Sequence, residues 1–248
     1  MKVIYILWLR ELKRYVRSKA QIIASLGQPL LYLLVLGFGL SPIFRKAGGG
    51  SYLQFVAPGV IAMTVLFSAT FSGIAILWDR QFGFLKETLI APVPRVQIMI
   101  GRTAGAATVA MLQGTLFALA CLLVGFRPAS WLAIPAGFAF LALIAAVFAA
   151  FGTTVGSSLK DMQGFQMVMN FLVMPLFFLS GALYPLDNLP KALAAVTRVD
   201  PLTYGIDGLR STLIAQSHFS ASLDAAVLIV LALILTGVGA WRFSKIEA

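Results

Sequence analysis

Residues 128–159, PASWLAIPAGFAFLALIAAVFAAFGTTVGSSL, contain no charged side chain. A helix of about 20 apolar residues crosses the hydrocarbon core of a bilayer, so this stretch is long enough to span one. Further charge-free stretches occupy 20–44, 47–78, 103–126, 162–186 and 225–241. Inside lipid, backbone polar groups must find partners within a helix or a closed barrel. Since none of the six stretches shows the two-residue alternation of a barrel strand, we expect six helices.

The composition supports a membrane location. Hydrophobic residues make up 60% of the chain and charged residues 11%, and the mean hydropathy is +0.92, values outside the range of soluble domains. We attribute the net charge of +10 to orientation and to contact with anionic lipid headgroups, and we expect no nucleic-acid partner. The single Cys121 excludes a disulfide framework, and the single His218 excludes most zinc and triad chemistry. We expect no cofactor in this chain.

The order of apolar and charged segments predicts an all-α polytopic membrane protein with one domain over 1–248. If the N-terminus is cytoplasmic, 13 of the 19 Lys and Arg residues lie on the cytoplasmic side, which is the bias typical of cytoplasmic segments. We therefore expect both termini in the cytoplasm. The predicted spans are 22–41, 55–78, 98–126, 131–159, 165–183 and 223–241.

Residues 1–19 separate into two faces when they are drawn as a helix. One face is apolar and includes Trp8 and Tyr15, whereas the other carries Arg10, Lys13 and Arg14. This pattern predicts an interfacial amphipathic helix on the cytoplasmic surface of the membrane. The alternative is a solvated basic face ahead of the first span. A signal peptide is excluded because charged residues follow where a cleavage site would lie.

The spans lack the groups that drive transport on their own. No span has a carboxylate at its middle, where an ion-coupled carrier usually places one. No charged ring or carbonyl filter indicates a channel, and no Gly-Lys pair is present for a phosphate-binding loop. If the chain moves a substrate, we therefore expect the energy to come from a partner. Two alternatives remain open: a stand-alone secondary carrier driven by an ion gradient, and a structural scaffold without transport.

Residues 79–97, DRQFGFLKETLIAPVPRVQ, form the first long cytoplasmic segment. Its mixture of apolar and charged residues, stopped by prolines, predicts an amphipathic helix of about two turns. Exposed apolar side chains on such a loop indicate a docking partner; a helix lying among lipid headgroups is the alternative. The candidate coupling residues are Asp79, Arg80, Gly83, Leu85, Lys86, Glu87, Leu89 and Pro92.

Residues 184–222 form the longest segment between spans. Asp200-Pro201 is expected to separate two short helices, 191–199 and 202–216. Because both are half apolar, we expect a re-entrant hairpin that enters the outer leaflet, with an ordinary surface loop as the alternative. Arg210 is expected to pair with Asp207 on the same helix face. The candidate residues of this outer gate are Tyr184, Pro185, Pro201, Tyr204, Asp207 and Arg210.

Large, adaptable side chains surround Pro175 in the fifth span. They favour a pathway face for a neutral, amphipathic cargo, and ordinary helix packing is the alternative. The candidate pathway residues are Phe171, Met174, Phe177 and Phe178. Two GxxxG patterns, Gly101 with Gly105 and Gly152 with Gly156, allow close helix approach, either within the chain or between two copies of it.

Two motifs carry a resemblance to a known family. In the loop after the second span, Arg80, Gly83, Leu85, Glu87, Leu89, Pro92 and Val93 fall on or next to the pattern of ABC-2 type exporter membrane subunits, although Lys86 stands where Glu is usual. Pro201-Leu202-Thr203-Tyr204 followed by Arg210 satisfies the family signature late in the chain. Residues 180–185, SGALYP, also resemble the family's end of the fifth span. The chain resembles this family over essentially its whole length.

The resemblance implies a transmembrane permease subunit of an ATP-driven exporter in the bacterial cytoplasmic (inner) membrane. It implies partnership with a second copy of this chain, with two copies of a cytoplasmic ABC ATPase subunit, and with membrane lipids. The chain itself would not be an enzyme, because ATP and magnesium would bind to the ATPase. The expected cargo is an amphipathic or lipid-linked drug, lipid or glycan, moved out of the cytoplasm or inner leaflet.

Overall fold

The structure, a computed structural model, describes residues 2–46, 50–84, 93–187 and 189–244. Within these ranges the chain is helical and contains no strand, and six helical segments are long and apolar enough to cross a membrane. The predicted fold class is therefore confirmed. The helices are α1 (Lys2–Arg17), α2 (Lys19–Gly39), α3 (Ser41–Lys46), α4 (Tyr52–Phe71), α5 (Ile74–Gln81), α6 (Arg95–Val124), α7 (Ile134–Ser158), α8 (Met162–Leu179), α9 (Lys191–Val199), α10 (Pro201–Leu213) and α11 (Ala221–Ser244).

The six candidate spans are α2, α4 with α5, α6, α7, α8 and α11. A single 3₁₀ turn, Trp131–Ala133, precedes α7. The α6 helix ends at Gly125, whose φ of 114° is a left-handed conformation that favours glycine. The spans overlap all six charge-free stretches of the sequence, because helix formation satisfies the backbone wherever the side chains are apolar.

The α4 helix is the centre of the bundle. Most of its side chains are buried, and it packs against α2, α6, α7 and α10. The α7 helix packs against α4 and α6 and also against α11. The core is apolar around these contacts, with Phe117, Phe148, Phe165 and Phe177 among the largest fully buried side chains.

The junction between α4 and α5 explains one of the two GxxxG patterns. At Ser72–Gly73 the chain forms tight turns, in which Gly73 N donates to Thr70 O at 3.3 Å and Ile76 N to Gly73 O at 3.1 Å. A Cβ at Gly73 would overlap the carbonyl of Gly152, and a Cβ at Gly156 would overlap the carbonyl of Gly73. The Gly152 and Gly156 pair therefore serves packing within the chain, where α7 approaches the backbone of the second span.

The bundle has two ends that can be identified from contacts between distant residues. At the α1 end, Arg10 contacts Asp79 at the end of α5, and Arg95 Nη1 donates to Ser244 O at 3.0 Å. At the α10 end, Tyr52 at the start of α4 donates its hydroxyl to Leu183 O at 2.7 Å, and Ala129 N donates to Leu213 O at 2.8 Å. Successive spans thus run alternately between the two ends.

Candidate functional site

The α1 end contains an ion-pair network centred on Asp79. The Asp79 carboxylate accepts hydrogen bonds from the guanidinium groups of Arg102 and Arg10, the latter at 3.1 Å. Arg102 is only 3% exposed, and its Nε and Nη1 have no hydrogen-bond partner among the described residues. A buried charge without a counter-ion is strongly destabilising. The Asp79 carboxylate supplies the counter-ion for Arg102 in α6.

The second GxxxG pattern is where α1 packs against α6. A Cβ at Gly105 would lie 2.8 Å from Glu11 Cβ, and one at Gly101 would lie 3.0 Å from Ile4 O. Trp8 Nε1 donates to Thr108 Oγ1 at 3.0 Å across the same contact. Of the two uses left open by the sequence, the structure thus shows contact within the chain. The position of α1 relative to a lipid surface stays a prediction.

The two charged residues that begin the predicted coupling loop are bound within the chain. Asp79 joins α5 to α1 and α6, and Arg80 Nη1 donates to Leu159 O at 2.6 Å, just after α7. Arg10 and Arg14 of α1 both contact Glu11, at 3.4 and 2.6 Å. Because of these hydrogen bonds, a displacement of the loop would act directly on α1, α6 and the end of α7.

The start of the coupling loop exposes aromatic rings. Trp78 and Phe82 stack with ring centroids 5.4 Å apart, and each is about half exposed. Gly83 follows with φ of 81°, a conformation that glycine adopts most readily. Five candidate residues lie outside the described residues, so their predicted helix stays a prediction: Leu85, Lys86, Glu87, Leu89 and Pro92.

The α10 end is fastened by Arg210. This side chain is 5% exposed, and its Nη2 donates to the carbonyls of Gly181 and Ala182 at 2.9 and 3.0 Å. Its guanidinium carbon lies 3.9 Å from the centroid of the Phe55 ring, in a cation–π contact. Gly181 has φ of 74° and begins the turn that follows α8. Arg210 therefore ties α10 to that turn and to α4.

The direct ion pair predicted between Arg210 and Asp207 does not form among the described residues, although the Asp207 charge still acts on Arg210 and raises its pKa against the effect of burial. Asp207 instead accepts hydrogen bonds from the backbone N–H groups of His218 and Phe219, at 2.8 and 2.7 Å. The spacing of three residues brings the two side chains onto one helix face, but each has backbone partners in a nearby turn. The carbonyls of Gly181 and Ala182 belong to buried residues and need partners, and Arg210 supplies them.

Asp200 and Pro201 set the start of α10. Asp200 Oδ1 accepts from Leu202 N at 2.9 Å as an N-cap, and Pro201 occupies the first turn, where a missing N–H has no consequence. Asp200 is 5% exposed, and its Oδ2 has no hydrogen-bond partner in the described part of the chain. Burial raises the pKa of this carboxyl to about 7.

The remaining gate residues make local contacts. Tyr204 donates its hydroxyl to Arg198 O at 2.6 Å, and its ring stacks on Phe219 at 5.3 Å. Tyr184 donates to Leu179 O at 3.2 Å, and Pro185 is exposed. The structure brings α9 and α10 together beside the end of α8. Whether this pair enters a membrane stays a prediction.

Only some of the side chains on the predicted pathway face of α8 are exposed. Phe171 and Phe178 are 79% and 47% exposed, and Met174 is partly exposed on the same side. Phe177 is buried and belongs to the core, so its assignment to the pathway face is wrong. The physical reason is the helical period, because Phe165, Met169, Val173 and Phe177 repeat every four residues along one stripe.

Sequence reasoning missed Arg102 and Phe55 as functional positions. Arg102 could have been found, because a lone arginine next to a charge-free stretch requires a counter-ion. Its partner Asp79 is 23 residues away in sequence, and no local pattern joins them. Phe55 gave no signal, since one phenylalanine among many apolar residues does not indicate a cation contact.

Comparisons with known proteins agree with these features. A family model described as ABC-2 type transporter matches residues 2–214, from α1 through α10. Nodulation protein J of Rhizobium leguminosarum bv. viciae is 31% identical over 213 residues, which are 85% of this chain and 82% of that protein. Inner membrane transport permease YadH of Escherichia coli (strain K12) is 28% identical over 207 residues, or 82% of this chain and 80% of that protein.

A second nodulation protein J, from Rhizobium meliloti (strain 1021), is 30% identical over 199 residues, or 79% of this chain and 75% of that protein. The range matched by the family model includes Asp79, Arg102 and Arg210 and ends before α11. The six-span helical bundle and the match of the family model over most of its length lead to one conclusion: this chain belongs to the ABC-2 type transporter family of membrane transport permeases.

Proposed function

We propose that this chain is the membrane subunit of an ATP-driven exporter, working as a homodimer with two copies of a separate ABC ATPase. The observation that carries the proposal is the Asp79 network. It fastens the end of α5, from which the candidate coupling loop continues, to both α1 and α6. A loop connected in this way can pass a mechanical displacement to several spans at once.

The proposed mechanism is a rigid-body switch between two access states. ATP and magnesium bind to the ATPase, and closure of the ATPase dimer displaces the loop after α5. Asp79 and Arg80 carry that displacement to α1, α6 and the end of α7 through the contacts described above. At the α10 end, Arg210 holds α10 against the turn after α8, as part of the proposed outer gate.

The proposed orientation places the α1 end in the cytoplasm and the chain in a bacterial inner membrane. The distribution of 13 of 19 basic residues supports this orientation. The similarity to YadH, which is named an inner membrane permease, supports the location. The proposed cargo is amphipathic or lipid-linked, because the exposed face of α8 offers large apolar side chains such as Phe171.

Purification and reconstitution test the proposal. An affinity-tagged chain solubilised from its native membrane should carry an ABC ATPase at an equal molar ratio, and that complex should hydrolyse ATP. The purified chain reconstituted alone should show no transport driven by a pH gradient. Gradient-driven transport without any ATPase would instead establish a secondary carrier and would overturn the proposal.

A further inference from the structure

A small cavity of about 120 Å³, here called the α10 pocket, lies between α4, α6, α7 and α10. Its wall includes one residue from each of these helices, namely Ile61, Leu122, Leu141 and Leu209. Thr115 also lines it and lies nine residues before Val124, the last residue of α6, which corresponds to about 14 Å along the helix axis. Because the hydrocarbon core of a bilayer is about 30 Å thick, the pocket lies in the half of the spans nearer the α10 end.

The lining of the α10 pocket is apolar. Among the described residues that form it, Thr115 carries the only polar side chain, and its hydroxyl donates to Met111 O at 2.8 Å within α6. A buried water needs two to four polar partners, whereas an engineered apolar cavity of about 150 Å³ stays dry and binds benzene. The α10 pocket therefore suits a segment of hydrocarbon and does not suit water or a polar group.

The α10 pocket opens onto the apolar outer surface of α6 and α7. Leu119 and Phe138 both line the pocket and are 54% and 42% exposed. Leu119 also belongs to a stripe of exposed leucines along one face of α6, formed by Leu112, Leu116, Leu119 and Leu123. Such a face of a span lies against lipid chains, which are as apolar as leucine. An acyl chain that covers this stripe can therefore extend into the pocket.

A cationic side chain lies beside the pocket. Arg127 is exposed, and its Nη1 donates to Leu122 O at 2.8 Å and to Phe126 O at 3.1 Å. Leu122 and Phe126 both line the pocket. No carboxylate in the described part of the chain forms an ion pair with Arg127. Since a guanidinium group binds phosphate well, the charge of Arg127 favours an anionic phospholipid.

The α10 pocket adjoins the contacts of Arg210. Leu209 and Leu213 line the pocket from α10, on either side of Arg210 in sequence. Leu209 is buried, and Leu213 O accepts from Ala129 N at 2.8 Å. An empty apolar space forfeits the packing contacts of its lining. A chain within the pocket would therefore stabilise the position of α10 against α6 and α7.

We propose that the α10 pocket holds a segment of one acyl chain of an anionic phospholipid, whose phosphate binds Arg127. The lipid is a resident ligand that supports α10 and is not the cargo, so the proposal goes beyond the proposed function and does not depend on it. Phosphatidylglycerol has both required parts, a negatively charged phosphate and long acyl chains.

Photolabelling of the purified full chain tests the proposal. Nanodiscs of phosphatidylcholine contain a minor fraction of phosphatidylglycerol with a diazirine partway along one acyl chain, and the adducts are located by mass spectrometry. We expect more adducts on 115–122 and 134–141 than on 229–238, an apolar and largely exposed stretch of α11. Unlabelled phosphatidylglycerol should compete at the pocket about tenfold better than phosphatidylcholine, which corresponds to one charge-assisted hydrogen bond.

Two substitutions test the two parts of the site. Ala118 lines the pocket, so Ala118→Leu fills the space and should remove most of the pocket adducts. Ala139→Leu is its matched control and should label as the wild type does, because Ala139 is exposed on α7 and is not part of the lining. Arg127→Gln should abolish the preference for phosphatidylglycerol, whereas Arg127→Lys should retain it. Because Arg127 is exposed, this second pair of variants keeps the test decisive if Ala118→Leu fails to fold.

Three results would overturn the proposal. Equal labelling of the pocket segments and of 229–238 in the wild type would identify lipid that merely surrounds the protein. Wild-type pocket adducts in a folded Ala118→Leu chain would show that the chain lies outside the pocket. Equal competition by the two unlabelled lipids, or a wild-type preference in Arg127→Gln, would remove the contact between Arg127 and the phosphate. Each of these results leaves the proposed exporter intact, since the measurement involves no ATPase and no transport.

Discussion

Two buried arginines are stabilised by different chemistry at opposite ends of the bundle. Arg102 is paired with the Asp79 carboxylate, whereas Arg210 donates to two carbonyls and lies over the Phe55 ring. A guanidinium group has several donors in a planar arrangement. An arginine can therefore pair with a carboxylate, or donate to carbonyls while it lies over an aromatic ring. The carbonyls bound by Arg210 belong to a turn, where no helix satisfies them.

Arg210→Ala should lower the free energy of unfolding in detergent by about 2–4 kcal/mol, because it removes two charge-assisted hydrogen bonds and leaves buried carbonyls unpaired. Export should fall with it. Arg198→Ala is the control, since Arg198 is exposed and the variant keeps the backbone carbonyl that accepts from Tyr204. Equal losses in the two variants would show that Arg210 is not the residue that fastens α10.

Asp200→Asn should stabilise the protein in a pH-dependent way. Burial raises the pKa of Asp200 in the folded chain to about 7, above its value of 3.8 in a model compound. The wild type therefore loses stability as the pH rises from about 4 to about 7, and the loss is complete above that range. The asparagine keeps an N-cap acceptor for Leu202 N and carries no charge.

Thermal unfolding measured from about pH 5 to about pH 8 checks this prediction. The difference in melting temperature between Asp200→Asn and the wild type should grow with pH and level off above about pH 7. Asp200→Ala, which removes the cap as well, should show the same pH-dependent part with a lower baseline. A gap that is constant with pH would contradict the raised pKa.

Among the helices, α1 packs closely against α6 at small residues. Gly101 and Gly105 let α1 approach closely, and Trp8 adds a hydrogen bond to Thr108. A leucine at 105 would overlap the Glu11 side chain, whose Cβ and Cγ lie within 2.9 Å of the added Cβ. The same overlap would disturb the contacts of Glu11 with Arg14 and Arg10.

Gly105→Leu should therefore release α1 while the spans stay folded. Trypsin should cleave the variant after Arg14 or Arg17 faster than it cleaves the wild type, with the helical circular dichroism of the spans largely retained. Gly237→Leu is the control, because a Cβ at Gly237 meets no atom within 4 Å, and it should be cleaved at the wild-type rate. Unchanged cleavage of Gly105→Leu would show that α1 is held by other contacts.

The elements themselves could be predicted from sequence, but their partners could not. Charge-free length gives a span directly, since the requirement for backbone satisfaction in lipid is local. The contact of α1 with α6 joins Trp8 to Thr108, 100 residues apart, and no periodicity specifies it. The glycine pattern predicts close packing, but it does not specify which helix packs against it.

The candidate sites were predicted unevenly for the same reason. The prediction of a helix boundary at Asp200-Pro201 is confirmed, because capping is a local effect. The partner of Arg210 was not, since the carbonyls of Gly181 and Ala182 come near it only in the folded chain. Composition alone groups Phe177 with Phe178, although neighbours in a helix point about 100° apart.

The two ends of the whole molecule use charged side chains differently. At the α1 end they pair with each other around Asp79, whereas at the α10 end Arg210 and Asp207 bind backbone groups of turns. The α1 end presents the half-exposed rings of Trp78 and Phe82 beside the Asp79 network. The 3₁₀ turn before α7, at the other end, presents Trp131, which is 61% exposed. In the proposed function, an ATPase docks at the α1 end and drives the spans from there.

Site-specific photo-crosslinking in native membranes tests this docking. A photoreactive amino acid replaces Phe82 in one strain and Trp131 in another, and the adducts are identified by mass spectrometry. We predict that position 82 captures a protein with the G-x-x-x-x-G-K-[ST] motif of an ATP-binding loop and that position 131 does not. Capture of that protein at 131, or its absence at 82 in a folded and expressed chain, would show that no ATPase docks at the α1 end.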